Sequence, residues 1–257
     1  MLKALIWDVD GTLAETERDG HRVAFNRAFE TEGLPWRWDE EHYGELLAVT
    51  GGRERILHDM ASRSDAPTLP QERLELAARV HRLKNAYYAE IVDSGAIALR
   101  EGVLELMRQC RERGLAMGIA TTTSRSNLEA LLRRHVGARW AADFGAIVCG
   151  EDTARKKPDP EAYVRALELL GVAPLEAVAI EDSPGGVAAA VAADVPVIVA
   201  RSAYFLAVPV HGAIAIGPGL HQRAGWRPVP ESGTHGAVDL DDVIDWHRRM
   251  ELVSAFG

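Results

Sequence analysis

Four acidic residues stand where apolar stretches of strand length end, and their spacing suits metal-dependent chemistry. Asp8 and Asp10 follow the apolar run 4–7, while Glu181 and Asp182 end a later run. Alternate residues of an extended chain point to the same side, so Asp8 and Asp10 face one way at the carboxyl end of a strand. Open α/β sheets bind ligands at that edge. Carboxylates about 4 Å apart repel each other by roughly 1 kcal/mol even in water, so the pair requires a cation or a shared proton, and four acids together predict a divalent metal.

The ligand types and their neighbours indicate which cation and which anion meet there. All four acids offer hard oxygen atoms without histidine or cysteine, which favours Mg²⁺ over Zn²⁺. The hydroxyl run 121–124 leads into a helix N-terminus, a natural seat for phosphate. Lys157 precedes Pro158, which forces extended backbone before it and presents the ammonium group to the site. The pattern therefore predicts a phosphate ester bound beside Mg²⁺.

The elements that must position these residues alternate along the chain. Helical patterns with apolar residues on one face lie between the later strands. Strands that alternate with helices imply the α/β class with a doubly wound parallel sheet. The predicted strands are 4–7, 115–120, 146–148, 177–180 and 195–199, and the predicted helices between the later strands are 103–113, 124–135, 163–170 and 184–193.

A long stretch after the first strand carries helical patterns without any strand signal. We interpret it as an inserted all-helical domain, which divides the chain into core residues 1–14, an insertion at 15–95 and core residues 96–257. The segment 202–236 is rich in Gly, Pro, Ser and His, which predicts a long loop rather than another strand and helix. A final helix is expected over 240–250.

Composition excludes several classes of protein. The chain has 257 residues, is 47% hydrophobic and 26% charged, and carries a formal net charge of -9. A surface of that sign repels nucleic acid and anionic lipid, so we expect neither as a partner. No apolar run has the 18 or so residues of a membrane span. Cys110 and Cys149 have no CxxC spacing and predict reduced, buried thiols. We expect a cytoplasmic monomer that acts on a small molecule.

The motifs resemble those of the haloacid dehalogenase (HAD) superfamily. The matching strings are Trp-Asp-Val-Asp-Gly-Thr-Leu-Ala-Glu-Thr-Glu at 7–17, the hydroxyl run, Lys-Lys-Pro at 156–158 and Glu-Asp at 181–182, in that order. The insertion stands where the superfamily carries its C1 cap. The string 7–17 with the segment 21–26, the segment 49–56 and the extended segment 200–236 are similar to the CbbY-type branch, which includes a phosphatase of xylulose-1,5-bisphosphate in Calvin-cycle bacteria. The resemblance thus implies a Rossmann-like HAD core and a sugar-phosphate phosphatase.

The resemblance also implies roles for individual residues. Asp8 would be the nucleophile and a Mg²⁺ ligand, and Asp10 the general acid and base, with its backbone carbonyl on the metal. Thr121 would bind the transferred phosphoryl group, and Lys157 would offset the charge between that group and Asp8. Asp182 would complete the metal site, with Glu181 either a direct ligand or its neighbour. As a general acid, Asp10 would need a pKa well above about 3.9.

Further residues are candidates for substrate binding. Gly51, Gly52 and Arg53 combine a mobile turn with a bidentate donor, which suits a second, non-reacting phosphate. Arg125, after the hydroxyl run, has the same potential, and Thr122 belongs to that run. Three more candidates are Glu17, His21 and Tyr43, whose side chains could contact the sugar hydroxyls. We therefore expect a pentulose bisphosphate as substrate.

Two alternatives share much of this chemistry. A sugar-phosphate mutase has the same site but retains a bisphosphate intermediate. A phosphoacceptor signalling module also places a phosphorylatable Asp, acidic metal ligands and a Lys on a doubly wound sheet. Asp10 disfavours the signalling module because it would hasten loss of the phosphoryl group, and a dehalogenase would not use Asp10 or the metal acids.

Overall fold

A parallel sheet forms the centre of the protein, as expected. The computed structural model describes the backbone of residues 1–256 and the side chains of residues 1–250. Within that part of the chain the sheet has six strands in the order β3-β2-β1-β4-β5-β6, all paired in parallel. Their bounds are β1 Ala4–Trp7, β2 Ala116–Ala120, β3 Ala146–Val148, β4 Ala177–Glu181, β5 Val197–Ala200 and β6 Ala215–Gly217. This order is that of a doubly wound Rossmann-like fold.

Alternation along β1 explains why helices cover both faces of the sheet. Leu5 and Trp7 pack into one apolar cluster, and Ala4 and Ile6 into the other. Both sets are fully buried, as is typical of a parallel strand covered on both sides. The helices of the core are α5 Val103–Glu112, α6 Arg125–His135, α7 Glu161–Leu170, α8 Pro184–Ala192 and α9 Leu240–Phe256. Clusters on both faces confirm the doubly wound α/β class.

The segment between β1 and α5 is helical in the structure. A single π-helical turn, Glu17–His21, leads into α1 Arg22–Thr31, and α2 Glu40–Leu46, α3 Gly52–Ser62 and α4 Pro70–Asp93 follow. These helices enclose an apolar cluster of their own, centred on Phe25, Phe29 and Trp38. We refer to residues 15–95 as the insertion. Its exact division from the core at residues 14 and 95 stays a prediction.

The prediction of a long loop over 202–236 is wrong, because β6 lies inside it. Ala215 is buried and pairs with Ile198 of β5, while a short 3₁₀ turn, Ala203–Phe205, precedes the strand. Three strand residues between Gly, Pro and His are too few to give a periodic signal. The segment is anchored by Trp226, which stacks on Trp246 of α9 at 4.7 Å. Helix α9 is also longer than the predicted range 240–250.

Among the described residues, none of the helices combines the length and the apolar composition that a membrane crossing requires.

Candidate active site

Three buried carboxylates meet at the carboxyl ends of the adjacent strands β1 and β4. Asp8, Glu181 and Asp182 each offer an oxygen within 4.8 Å of the others, and this is the group that the described side chains form for a metal ion. The backbone N–H of Asp8 donates to the carbonyl of Ile180 at 3.0 Å, which fixes the two strand ends side by side. The structure therefore brings together these three predicted ligands from positions more than 170 residues apart.

Gly11 allows this close approach. Its φ is +86°, and a Cβ atom built on it would lie 2.0 Å from Oδ2 of Asp182. Any other residue would be strained in its backbone and would collide with the carboxylate. A glycine is thus required at this turn for Asp182 to reach the site.

Lys157 neutralises part of the acidic cluster. Its Nζ atom lies 2.7 Å from Oδ1 of Asp8 and 2.5 Å from Oε1 of Glu181, and it also donates to the carbonyl of Ala120 at 2.8 Å. The hydroxyl of Tyr163 donates to the same Glu181 oxygen at 2.6 Å. Lys157 is buried, so these contacts are shielded from solvent. The ammonium group is therefore held between the candidate nucleophile and Glu181.

One ammonium group does not balance three buried carboxylates. Burial and the charge of Glu181 raise the pKa of Asp8 to about 8, although Lys157 opposes the shift. Burial and the charges of Asp8 and Glu181 also raise the pKa of Asp182. A divalent cation bound to these oxygens would remove the imbalance. The oxygen donors and the charge deficit both fit a hard metal ion, so the cluster can hold one.

Asp10 is not part of the acidic cluster, and its side chain contacts the insertion. Its Oδ1 accepts a hydrogen bond from Oγ1 of Thr16 at 2.6 Å and lies 2.8 Å from Nε2 of His21. The His21 ring stacks on Tyr88 at 4.2 Å. Burial favours a higher pKa for Asp10, but His21, Thr16 and Lys84 outweigh it, so the pKa is lowered. The expectation of a raised pKa is wrong for this arrangement, because both hydrogen-bond partners favour the charged carboxylate.

A cavity of about 400 Å³ lies over Asp8 and Lys157. The core contributes the predicted Thr121 and Thr122 and the start of α8, and the insertion contributes Glu17 and Arg55. The lining also includes apolar residues, Leu47 and Ala48 from the insertion and Pro184, Phe205 and Val208 from the core. The cavity lies between core and insertion, so a ligand bound in it would contact both.

A second, smaller cavity of about 40 Å³ shares Asp10, Glu17, Arg55 and Thr122 with the first. Its lining is mostly polar and also includes Gly51, Gly52, His81, Lys84, Asn127 and the segment Thr123–Ser124. The N-termini of α3 and α6 therefore both open into it. Helix N-termini and cationic side chains together favour a bound anion.

Lys84 is the notable cation of this smaller cavity. It is buried, and its Nζ lies 5.2 Å from the ring of Phe25 and 5.4 Å from that of Tyr88. Burial and Arg55 lower its pKa to about 8, while Asp10 and Glu17 oppose the shift. Asn85 accepts a long hydrogen bond of 3.4 Å from it. Most of the donor capacity of Lys84 is thus left for a ligand.

The structure joins two of the candidate substrate residues into a network. The hydroxyl of Tyr43 donates to Oε2 of Glu17 and accepts from Nη1 of Arg55 at 2.7 Å. Arg55 also lies 3.6 Å from Glu17. Tyr43 is fully buried and lines neither cavity, whereas Glu17 lines both. Tyr43 therefore holds Glu17 and Arg55 in position through hydrogen bonds without facing either cavity.

Two other candidates, Arg53 and Arg125, lie outside both cavities. Arg53 is an exposed residue in the first turn of α3, and the buried arginine of that helix is Arg55. Arg125 is half exposed, and its Nη2 lies 2.6 Å from Oδ2 of Asp152. The structure brings Gly51, Gly52 and Thr122 to the site without these two arginines.

Sequence reasoning missed Lys84, Arg55 and Tyr163. The clearest signal was at Lys84, because it lies on the stripe 77, 80, 84, 88 and 91 of α4, whose other members are apolar and buried. A lysine on the buried face of a helix needs a partner or a function. Tyr163 gave no such signal, because its hydroxyl contacts Glu181 of another element, and a sequence pattern does not show contacts between separate elements.

Comparison with known proteins is consistent with this geometry. A family model described as haloacid dehalogenase-like hydrolase matches residues 2–194. The plasmid-encoded protein CbbY of Cupriavidus necator is 40% identical over 249 residues, which cover 96% of this chain and 97% of that protein.

Solved structures of another CbbY also match this chain. The crystal structure of CbbY from Rhodobacter sphaeroides in complex with phosphate has 41% identity and a TM-score of 0.77, covering 83% of this chain and 92% of that one. The structure of a mutant CbbY from that organism in complex with xylulose-1,5-bisphosphate has 40% identity and a TM-score of 0.80, covering 85% and 95%. Given these matches over most of its length, the chain belongs to the haloacid dehalogenase-like hydrolase family and is a phosphatase of that family.

Proposed function

We propose that the protein is a Mg²⁺-dependent phosphatase that removes the C1 phosphate of xylulose-1,5-bisphosphate and releases xylulose 5-phosphate. The observation that carries the proposal is the pair of adjoining cavities: one is lined by Asp8 and Lys157, and the other by Lys84, Arg55 and two helix N-termini. A substrate with a phosphate at each end suits this division. The mutant CbbY of Rhodobacter sphaeroides in complex with xylulose-1,5-bisphosphate supports the same substrate.

The first step takes place on Asp8. An Asp8 oxygen attacks phosphorus, the bond from phosphorus to the C1 oxygen breaks, and an aspartyl phosphate forms. Lys157 and Thr121 stabilise the charge on the transferred group, since both lie over Asp8 in the larger cavity. Mg²⁺, held by Asp8 and Asp182, would supply positive charge to the phosphoryl oxygens. Water then attacks the same phosphorus, which frees the Asp8 carboxylate and inorganic phosphate.

Asp10 moves the proton in both steps. The departing C1 oxygen needs a proton, and the attacking water must lose one, so one residue serves both steps in opposite directions. In the arrangement described, Thr16 and His21 hold Asp10 as a carboxylate. We infer that substrate binding moves Asp10 away from these partners, which lets the carboxyl group take up its proton before the first step.

The smaller cavity holds the second phosphate, according to this proposal. Lys84 and Arg55 provide charge, and the backbone N–H groups at Gly51 and Gly52 provide hydrogen bonds. Glu17, supported by Tyr43, lines both cavities, and His21 lines the smaller one, so both would face the sugar hydroxyls. Charged hydrogen bonds contribute roughly 1.5–3 kcal/mol each, so two of them predict at least about a hundredfold preference for the bisphosphate.

The test is phosphate release by the purified full chain from xylulose-1,5-bisphosphate, xylulose 5-phosphate and other sugar monophosphates, with and without Mg²⁺. We expect the bisphosphate to have the highest kcat/KM, and ³¹P NMR to show loss of the C1 phosphate. Release of inorganic phosphate without an added bisphosphate primer distinguishes the phosphatase from a mutase. An aspartyl phosphate lasting seconds rather than hours distinguishes it from a signalling module.

Two variants control this test. Asp8→Asn removes the nucleophile and is expected to lower kcat by about 10⁴-fold or more. Asp19→Asn changes an exposed aspartate that pairs with Arg18, and it is expected to leave kcat unchanged. If kcat/KM for the sugar monophosphates equals kcat/KM for xylulose-1,5-bisphosphate, the assigned substrate is refuted. Activity that survives EDTA would refute the metal requirement.

A further inference from the structure

Arg100 lies where the insertion returns to the core, and its guanidinium group binds four backbone carbonyls. Nη1 donates to the carbonyl oxygens of Gly11 and Ala200, the latter at 2.9 Å. Nη2 donates to the carbonyl oxygen of Arg201 at 2.5 Å and to that of Pro218 at 3.4 Å. The Arg100 side chain is 13% exposed and lines neither cavity of the site. It therefore connects loops without touching the substrate.

Two of these loops carry parts of the acidic cluster. Gly11 begins the turn 11–13 that follows Asp8 and Asp10, and it is in close contact with Asp182. Arg201 precedes Ser202, a buried residue whose Oγ donates to Oδ2 of Asp182 at 2.5 Å. The guanidinium group thus binds the backbone of both segments that contact Asp182, the turn at Gly11 and the loop that carries Ser202.

The same residue also anchors the insertion. The backbone N–H of Arg100 donates to the carbonyl of Leu13 at 2.7 Å, and Leu99 forms an antiparallel bridge with Ala14. The side chain of Glu15 lies 3.6 Å from Nε of Arg100. Both connections between core and insertion therefore meet at Arg100.

An arginine suits this position for a geometric reason. Carbonyl oxygens that converge on one point repel each other, and a buried cation with several donors is needed to hold them together. The planar guanidinium group offers five N–H donors in a rigid fork, whereas the ammonium of lysine is a compact point charge. A lysine would keep the charge but would lose the simultaneous contacts to Gly11 and Arg201.

We propose that Arg100 is a positioning residue for the candidate metal site: it holds the Gly11 turn against the Ser202 loop and so keeps Asp8 and Asp182 at the separation that binds a divalent cation. The inference rests on the proposed function only in taking these two acids as metal ligands. Mutation of residues that hydrogen-bond to the ligands of a metal ion typically changes metal affinity by 10–100-fold.

The experiment measures Mn²⁺ binding to the metal-free full chain by electron paramagnetic resonance, without substrate or turnover. We expect Arg100→Lys to raise the Kd for Mn²⁺ by about 10-fold or more, and Ser202→Ala to change it in the same direction. The matched control is Arg108→Lys, which alters an exposed arginine on α5 and is expected to keep the wild-type Kd. Thermal unfolding of each variant reports whether it is folded.

The outcomes separate this inference from the proposed function. A wild-type chain that binds no Mn²⁺ would refute the metal site itself. A wild-type chain that binds Mn²⁺ while a folded Arg100→Lys variant binds it equally well would refute the positioning role. If Arg100→Lys does not fold, Arg100→Gln replaces it. If that variant also fails to fold, an unchanged Kd in Ser202→Ala would overturn the proposal.

Discussion

The Nζ atom of Lys157 lies 2.5 Å from Oε1 of Glu181, and this contact determines what Glu181 can do in the site. Oε1 also accepts the hydroxyl proton of Tyr163 at 2.6 Å. Oε2 accepts from the backbone N–H of Asp182 at 3.3 Å and lies 3.5 Å from Oγ of Ser183. Since both oxygens already have donors from the protein, we expect Glu181 to hold Lys157 in place rather than to bind the metal directly.

Glu181→Gln and Asp182→Asn are expected to differ in metal affinity. Glu181→Gln should keep the Kd for Mn²⁺ within about threefold and lower kcat by about 10–100-fold, because Lys157 loses the partner that orients it. Asp182→Asn should raise the Kd by at least about 10-fold, because it removes a charged ligand. Paramagnetic resonance measures the Kd and phosphate release measures kcat. A similar loss of affinity in both variants would show that Glu181 is itself a ligand.

Lys84→Met is expected to weaken binding of the bisphosphate selectively. The substitution removes the buried cation of the smaller cavity, so KM for xylulose-1,5-bisphosphate should rise by about 10–100-fold, and KM for a monophosphate should change little. Arg53→Met is the matched control, because Arg53 lies in the exposed first turn of α3. Steady-state phosphate release gives both values. A larger effect from Arg53→Met would restore Arg53 as the phosphate clamp.

The pKa of Lys84 predicts how substrate binding depends on pH. Burial lowers this pKa to about 8, so the side chain is charged below pH 8 and neutral above it. The ratio of KM for the bisphosphate to KM for a monophosphate should therefore stay constant below about pH 8 and rise above it. Lys84→Arg should abolish the rise, because arginine stays charged. A wild-type ratio that is flat from pH 7 to pH 9.5 would contradict the assignment.

Trp226→Ala is expected to destabilise the fold. Trp226 is 1% exposed, stacks on Trp246 at 4.7 Å and donates to the carbonyl of Gly219 at 3.0 Å. Removal of a buried tryptophan costs about 3–5 kcal/mol in the free energy of unfolding. Val229→Ala, at a site that is 51% exposed, should change it by less than about 0.5 kcal/mol. Urea unfolding measures both, and equal midpoints would mean that the segment 202–236 does not contribute to the core.

Local sequence patterns were sufficient to predict most strands of the sheet and the residues of the acidic cluster. The apolar runs at β1 and β3 coincide with the predicted bounds, and α6 begins one residue after its predicted start at 124. Asp8, Glu181 and Asp182 could be assigned to one edge because the carboxyl ends of parallel strands always share an edge. Strand β6 was missed because three residues carry no periodic signal, and its burial depends on its neighbours.

The sequence by itself determined the α/β class, the helical nature of the insertion and the edge of the sheet at which the acids meet, because these follow from periodicity and strand direction. Only the tertiary structure decided that Arg55 and Lys84, rather than Arg53 and Arg125, line the cavities beside Asp10. It also decided that His21 and Thr16 lower the pKa of Asp10. The physical reason is that distances between side chains on separate elements are set by how those elements pack, and pKa values depend on those distances.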